Sequence, residues 1–227
     1  MIVFFSGVIE GYVAYDRILK MITVHNGELM VEEKGIYSIE KFLIARRLMY
    51  RQVYLHKTVL SAEQMLQRII KRAKYISAQC QQPLNSFINE PMQNITLGQF
   101  CSLDDADVMM AIKSWCSHSD KILSLLCRGI INRELLKVKY NSAPVTEALL
   151  QEKQEKTAAV LDITIAEVAW LVFTGEASST TYNFDEQQIK ILFKNGDVKD
   201  ISEVDDALIN ESLRGNIKKY YICYPGF

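Results

Sequence analysis

The chain has 227 residues, 26 Lys or Arg against 27 Asp or Glu, and 49% hydrophobic residues, so it can bury a sizeable core as one large domain or two modest ones. A net charge of -1 gives no overall field that favours nucleic acid or an anionic membrane, and any anion site must be a local patch. No apolar run approaches the roughly 20 residues of a membrane span, the N-terminus lacks the basic lead of a signal peptide, and the five cysteines never form Cys-x-x-Cys; a reduced cytoplasmic setting without structural zinc is expected.

In chain order, Asn26-Gly27 lies between two β-prone runs within residues 18–34 and predicts a small hairpin. Ser38 is a candidate N-cap, and the run from Ile39 to Ala78 has no Gly or Pro and places apolar residues at helical spacing. One long helix, or two nearly collinear ones, is expected there. Pro83, Pro91 and Gly98 predict an irregular connection over residues 80–101. Helices should follow from the Ser102, Asp104, Asp105 group to about Ser117, from Ser119 and Asp120 to about Arg128, and from Ile130 to Lys139.

Turn formers and a proline from Asn141 to Pro144 mark the expected domain boundary. Residues 1–141 then read as a mainly α domain with a small β-hairpin, and residues 142–227 as a small α+β domain. In the second domain, helices are expected at Val145 to Leu161, after the capping box Thr164-x-x-Glu167, and from Ser202 to Leu213. Strands are expected at 173–183 and 189–193, at Asp197 to Ile201 after an Asn195-Gly196 turn, and at Lys218 to Tyr224.

Residues 37–74 carry the functional signal. With helical rotation of about 100° per residue and Arg46 taken as zero, Tyr50 falls near roughly 40°, Tyr54 near roughly 80° and Lys57 near roughly 20°. Two cations and two phenols on one face suit a nucleotide, because a guanidinium grips phosphate through a fork and a phenol hydrogen-bonds a sugar or stacks on a base. The alternative is that the tyrosines are core and the cations solvated.

The run ARRLMYRQVYLHKTV, preceded by EEKGIYSIEKF, resembles a segment of bacterial HD-superfamily phosphohydrolases related to dNTP triphosphohydrolases. The likeness extends from about Phe4, through AIKSWCSHSDKILSLLCRGIINRELLK, to KKYYICYP, and identifies the chain as a C-terminal portion of such a protein. It implies that Arg46 contacts substrate phosphate and Tyr54 the sugar, with Tyr50 and Lys57 beside them. It also implies a regulatory nucleotide held between protomers by basic residues, at the positions of Arg17, Arg133 and Lys137. The implied partners are a nucleotide or phosphate ligand, further copies of the chain in a homo-oligomer, and a missing N-terminal HD segment.

The family's chemistry uses a histidine, a His-Asp doublet and a later aspartate around a divalent metal such as Mn, Mg, Fe or Ni. The chain has His25, His56 and His118, none followed by Asp, and Met1 aligns just past the final ligand. No metal ligand, cofactor or catalytic residue is therefore expected in this chain itself. Asp16 aligns with the helix after that ligand, and Cys116 and His118, two apart on a helix, cannot meet as a nucleophile pair. The expected function is a phosphate- and sugar-contacting portion of a nucleotide phosphohydrolase, inactive alone. A non-catalytic oligomerisation or regulatory module is the alternative, and nucleic-acid binding by Arg68, Lys71, Arg72 and Lys74 ranks below both.

Overall fold

The structure, a computed structural model, describes residues 13–179, 188–204 and 217–227. The expected strand end at 180–183, most of the expected 202–213 helix and the stretch 4–12 lie outside the described residues. The chain divides into two compact units, one from residues 1–56 and 177–218, the other from residues 57–176 and 219–227. Both mix helices with a small sheet around a largely helical core.

In the first unit a helix at Tyr15–Lys20 leads into the hairpin Ile22–His25 and Glu28–Glu32. Its turn places Asn26 at φ 53° and Gly27 at φ 82°, the left-handed geometry that those two residue types tolerate at least cost. Glu28–Glu32 then pairs in parallel with Lys190–Leu192, matching Val31 to Ile191 and Glu32 to Leu192, and Val198–Asp200 closes the sheet. The helix Ile36–Met49 lays Ile36, Ile39 and Leu43 on this sheet, where they form a core with Val31, Ile191 and Ile201. Gly35 permits the close approach, since a Cβ there would stand 2.6 Å from Val31 Cγ1. Ser38 is inside this helix, which starts two residues earlier after the 3-10 turn Glu33–Gly35, and its hydroxyl accepts from Arg17 Nε at 3.1 Å.

The long helical run is interrupted. A π turn over Tyr50–Tyr54 closes with the Leu55 amide donating to the Tyr50 carbonyl at 2.8 Å, and a new helix occupies Lys57–Tyr75. In the second unit that helix buries Leu60, Met65, Ile69 and Ala73 and packs on Lys121–Asn132, which contributes Ile122, Leu123, Leu126 and Cys127. Residues 80–101 are more regular than their prolines suggest. They hold helices at Leu84–Asn89 and Leu97–Ser102, with Pro83 at the first N-cap and Gly98 in the second helix's first turn, sites where neither residue breaks an existing ladder. Asp104 caps Asp105–Trp115 and Asp120 caps Lys121–Asn132, as their side chains predict.

The expected helix from Ile130 to Lys139 does not form. Arg133 takes φ 60°, the Glu134 amide closes onto the Gly129 carbonyl at 2.8 Å, and Lys137–Asn141 becomes a strand paired antiparallel with Ile217–Tyr224. Phe173–Ser179 completes that sheet, whose order is Lys137–Asn141, Ile217–Tyr224, Phe173–Ser179. Helices at Glu147–Leu161 and Ile165–Val168 follow, the latter with the predicted Thr164 and Glu167 capping box.

Residues 142–227 do not stand as one separate domain, and position 141 lies inside the second unit. The hairpin around Asn195-Gly196 joins the N-terminal hairpin, while the last strand joins residues 137–141. A two-stranded hairpin is marginal in water, and each of these short ladders gains stability from strands distant in sequence.

Candidate functional site

Two groups of residues emerge, one in each unit. In the first, Arg46 lies in the last turn of the Ile36–Met49 helix and its guanidinium lies 5.8 Å from the centroid of the Tyr50 ring. The Tyr50 and Tyr54 rings stand 5.0 Å apart, tilted by 40°, across the π turn. Arg46 and Tyr54 are exposed and Tyr50 is half-buried, so cation and phenols form a solvent-facing row. A π turn carries one residue more per hydrogen-bonded loop than an α turn, and such turns recur at functional sites.

Leu55 leaves helical geometry at φ -94° and ψ 16°, and Lys57 opens the next helix, in the second unit. Lys57 lines a cavity of about 500 Å³ in that unit, together with Thr58, Ser61, Arg133, Leu135, Leu136, Lys137, Val138, Lys139 and Tyr224. The side chain of Ser61 fastens this site by donating to the Leu136 carbonyl at 2.6 Å, which ties the 57–75 helix to the approach of the 137–141 strand. Strand alternation then sets Lys137 and Lys139 on one side with Val138 buried between them. Arg133 reaches the cavity from a left-handed helix end, a conformation that costs a non-glycine residue about 1–2 kcal/mol.

Four cations thus surround one cavity that has no carboxylate among its lining residues. No ion pair engages any of the four among the described residues. Sequence reasoning grouped Arg133 with Lys137, assigned Lys57 elsewhere and missed Lys139; the alternation Leu136, Val138, Tyr140 was the available sign of a strand that would bring Lys139 in. Arg17, grouped with Arg133 and Lys137 from the sequence, belongs to the first unit and does not line this cavity.

The two arginines of the basic run at 68–74 have structural contacts. Arg72 is buried and grips Asp120 with both arms of its fork, Nε to Oδ1 at 3.1 Å and Nη2 to Oδ2 at 2.6 Å. Burial opposes ionisation of Asp120, but its bonds from Arg72 and from the Leu123 amide outweigh this and hold the carboxyl below its ordinary range. Arg68 donates to the Ala169 carbonyl at 3.1 Å and lies 3.3 Å from the Phe173 ring centroid, with burial pulling its pKa down. Two of the four cations are therefore already engaged by this fold.

A catalytic metal of the kind the sequence resemblance implies does not fit the donors among the described residues. His25 lies in a strand, His56 follows the π turn, and His118 Nδ1 accepts the Asp120 amide at 2.9 Å. Among the described residues no three His, Cys, Asp or Glu side chains group to hold an ion. No helix among them is long and apolar enough to cross a membrane. Burial raises the thiol pKa values of Cys127 and Cys223 to about 12, which leaves both unreactive at neutral pH.

Comparison with known proteins places this architecture. The family model for the HD associated region matches residues 13–171. The uncharacterized protein YwfO of Bacillus subtilis (strain 168) is 29% identical over 238 residues, covering 98% of this chain and 52% of that protein. A phosphohydrolase (BT4208) of Bacteroides thetaiotaomicron VPI-5482 superimposes with a TM-score of 0.90 at 39% identity, over 99% of this chain and 59% of that one. A hypothetical protein from Aquifex aeolicus shares the fold at a TM-score of 0.63 and 24% identity, over 98% of this chain and 51% of that one. The chain spans about half the length of the curated relative YwfO.

Proposed function

The chain belongs to the HD associated region family, and from that premise we propose that it is the nucleotide-holding portion of an HD-family phosphohydrolase. In this reading the cavity of Lys57, Arg133, Lys137 and Lys139 takes the phosphates of a regulatory nucleotide, and Arg46, Tyr50 and Tyr54 meet the phosphate and sugar of the substrate. The observation that carries it is the set of four cations around a cavity without a lining carboxylate. A triphosphate brings about the opposite charge, Arg133 offers a fork, and the lysines act as point charges. The phosphohydrolase BT4208, similar over nearly the whole chain, supports the reaction class.

These residues bind and orient; none of them breaks the phosphate bond. Because the donors among the described residues do not fit a catalytic metal, no chemical step is assigned to them. The test is titration of the purified chain with a deoxynucleoside triphosphate, followed by Arg133→Gly. Glycine removes both the guanidinium and the left-handed strain, so stability should hold or rise while affinity falls about tenfold. Wild-type affinity in Arg133→Gly and in Lys137→Ala together would sink this reading of the cavity.

That no metal-donor cluster occurs among the described residues favours a second reading, a regulatory or oligomerisation module without catalysis. Light scattering with and without the nucleotide separates the two. A chain that assembles in response to nucleotide, yet adds nothing to hydrolysis when supplied with an HD segment bearing the metal ligands, is a regulatory module.

A further inference from the structure

We propose a second ligand site, for a mononucleotide-sized molecule with one aromatic ring system and a phosphate, in the cavity between the 33–37 turn and the 193–204 hairpin of the first unit. This cavity, of about 420 Å³, is lined by Glu33, Lys34, Ile36, Tyr37, Phe193, Lys194, Lys199 and Val204. It exists only because Glu28–Glu32 pairs in parallel with Lys190–Leu192, which brings two hairpins from opposite ends of the chain together.

Its composition matches the parts of such a ligand. Tyr37 is 66% exposed and Phe193 packs partly on the core, so two aromatic side chains border an apolar floor of Ile36 and Val204. Two aromatic rings on the border of one cavity offer faces on which a planar base can stack. Lys34 is held by Glu32 at 2.6 Å, but Lys194 and Lys199 have no ion-pair partner among the described residues. Lys199 instead stands 5.8 Å from the Phe193 ring centroid, which sets an ammonium beside that ring. The one lining carboxylate, Glu33, accepts the Lys194 backbone N–H at 3.2 Å through Oε2. Its other oxygen suits a sugar hydroxyl, the part a carboxylate takes in dinucleotide sites.

The phosphate would sit on Lys194 and Lys199, the base on Tyr37 and Phe193, and the sugar by Glu33. Ile36 and Tyr37 open the Ile36–Met49 helix, whose last turn carries Arg46, so an occupant here touches the first turn of the element bearing one member of the candidate substrate row. The site is separate in residues from the four-cation cavity and does not depend on it.

The experiment is calorimetric titration of the full chain carrying Arg133→Ala and Lys137→Ala, which silences the other cavity, with AMP, adenosine and inorganic phosphate as separate probes. One saturable AMP site is expected, weakened about tenfold by Lys194→Ala with Lys199→Ala and weakened also by Tyr37→Leu, with thermal midpoints unchanged by the exposed lysine substitutions. Adenosine and phosphate alone should each bind more weakly than AMP. Absence of saturable AMP binding, AMP affinity unmoved by the lysine pair, or phosphate binding as tightly as AMP would each overturn the proposal. Should the four-cation cavity bind nothing, the wild-type chain would show this one site alone.

Discussion

Arg72 and Arg133 both sit at the C-terminal ends of helices in the second unit, and the fold treats them in opposite ways. Arg72 is buried, its fork is filled by Asp120, and it lies 5.3 Å from the Trp170 ring centroid and 5.4 Å from that of Tyr75. Arg133 keeps a left-handed backbone, has no ion-pair partner among the described residues and borders a cavity with three lysines. A cation whose hydrogen bonds are satisfied within the fold contributes to stability, whereas one left facing a cavity is available to an outside anion. The difference separates charge satisfied within the fold from charge left facing a cavity inside a single unit.

The largest effect that can break this contrast comes from Asp120→Ala. It removes one partner of a part-buried pair and the cap of the Lys121–Asn132 helix, so unfolding free energy should drop by about 3 kcal/mol in urea denaturation. Replacing Arg72 by Met and Asp120 by Leu together should recover much of the pair's share. Recovery of none would mean that the contacts of Arg72 with the rings matter more than its charge.

Next comes Arg133→Ala with Lys137→Ala, expected to weaken triphosphate binding about a hundredfold while changing stability by less than about 0.5 kcal/mol. A comparable loss of stability would show these cations to be structural like Arg72.

Acidification sharpens the contrast further. The Asp120 carboxyl is depressed in the folded state, so its contribution is complete above the unfolded value of about 3.9 and is lost as pH falls through the lower folded value. The stability gap between wild type and Asp120→Asn should be widest at neutral pH and close below about pH 4. A gap independent of pH would show that the carboxylate's charge is not what the fold uses.

The smallest expected effect is on thiol labelling. Exposed Cys101 should react with a disulfide reagent at neutral pH, and the buried Cys127 and Cys223 only upon unfolding. Fast labelling of Cys223 in folded protein would mean that the sheet holding Arg133's neighbours Lys137 and Lys139 opens readily.

The adjacency of Arg46, Tyr50 and Tyr54 was legible in the sequence, because they are spaced four residues apart and any helical turn keeps such residues adjacent. The four-cation cavity was legible only in part. Lys57 and Arg133 are 76 positions apart, and nothing local in either segment says that they share a wall. Lys139 was hidden because residues 130–139 satisfy a helical pattern until the left-handed Arg133 ends the helix and the final strand claims residues 137–141.

The sequence by itself determined the features with local causes. Asn26-Gly27 and Asn195-Gly196 made their turns, and Asp104, Asp120 and Thr164 capped their helices, because in each case the deciding hydrogen bond or φ angle involves residues at most a few positions apart. Only the tertiary structure decided which hairpins share a sheet, where the long helical run breaks, and which cations go unpaired. Those outcomes depend on ladder partners, burial and opposite charges supplied by segments far away in the chain, whose proximity no local pattern records.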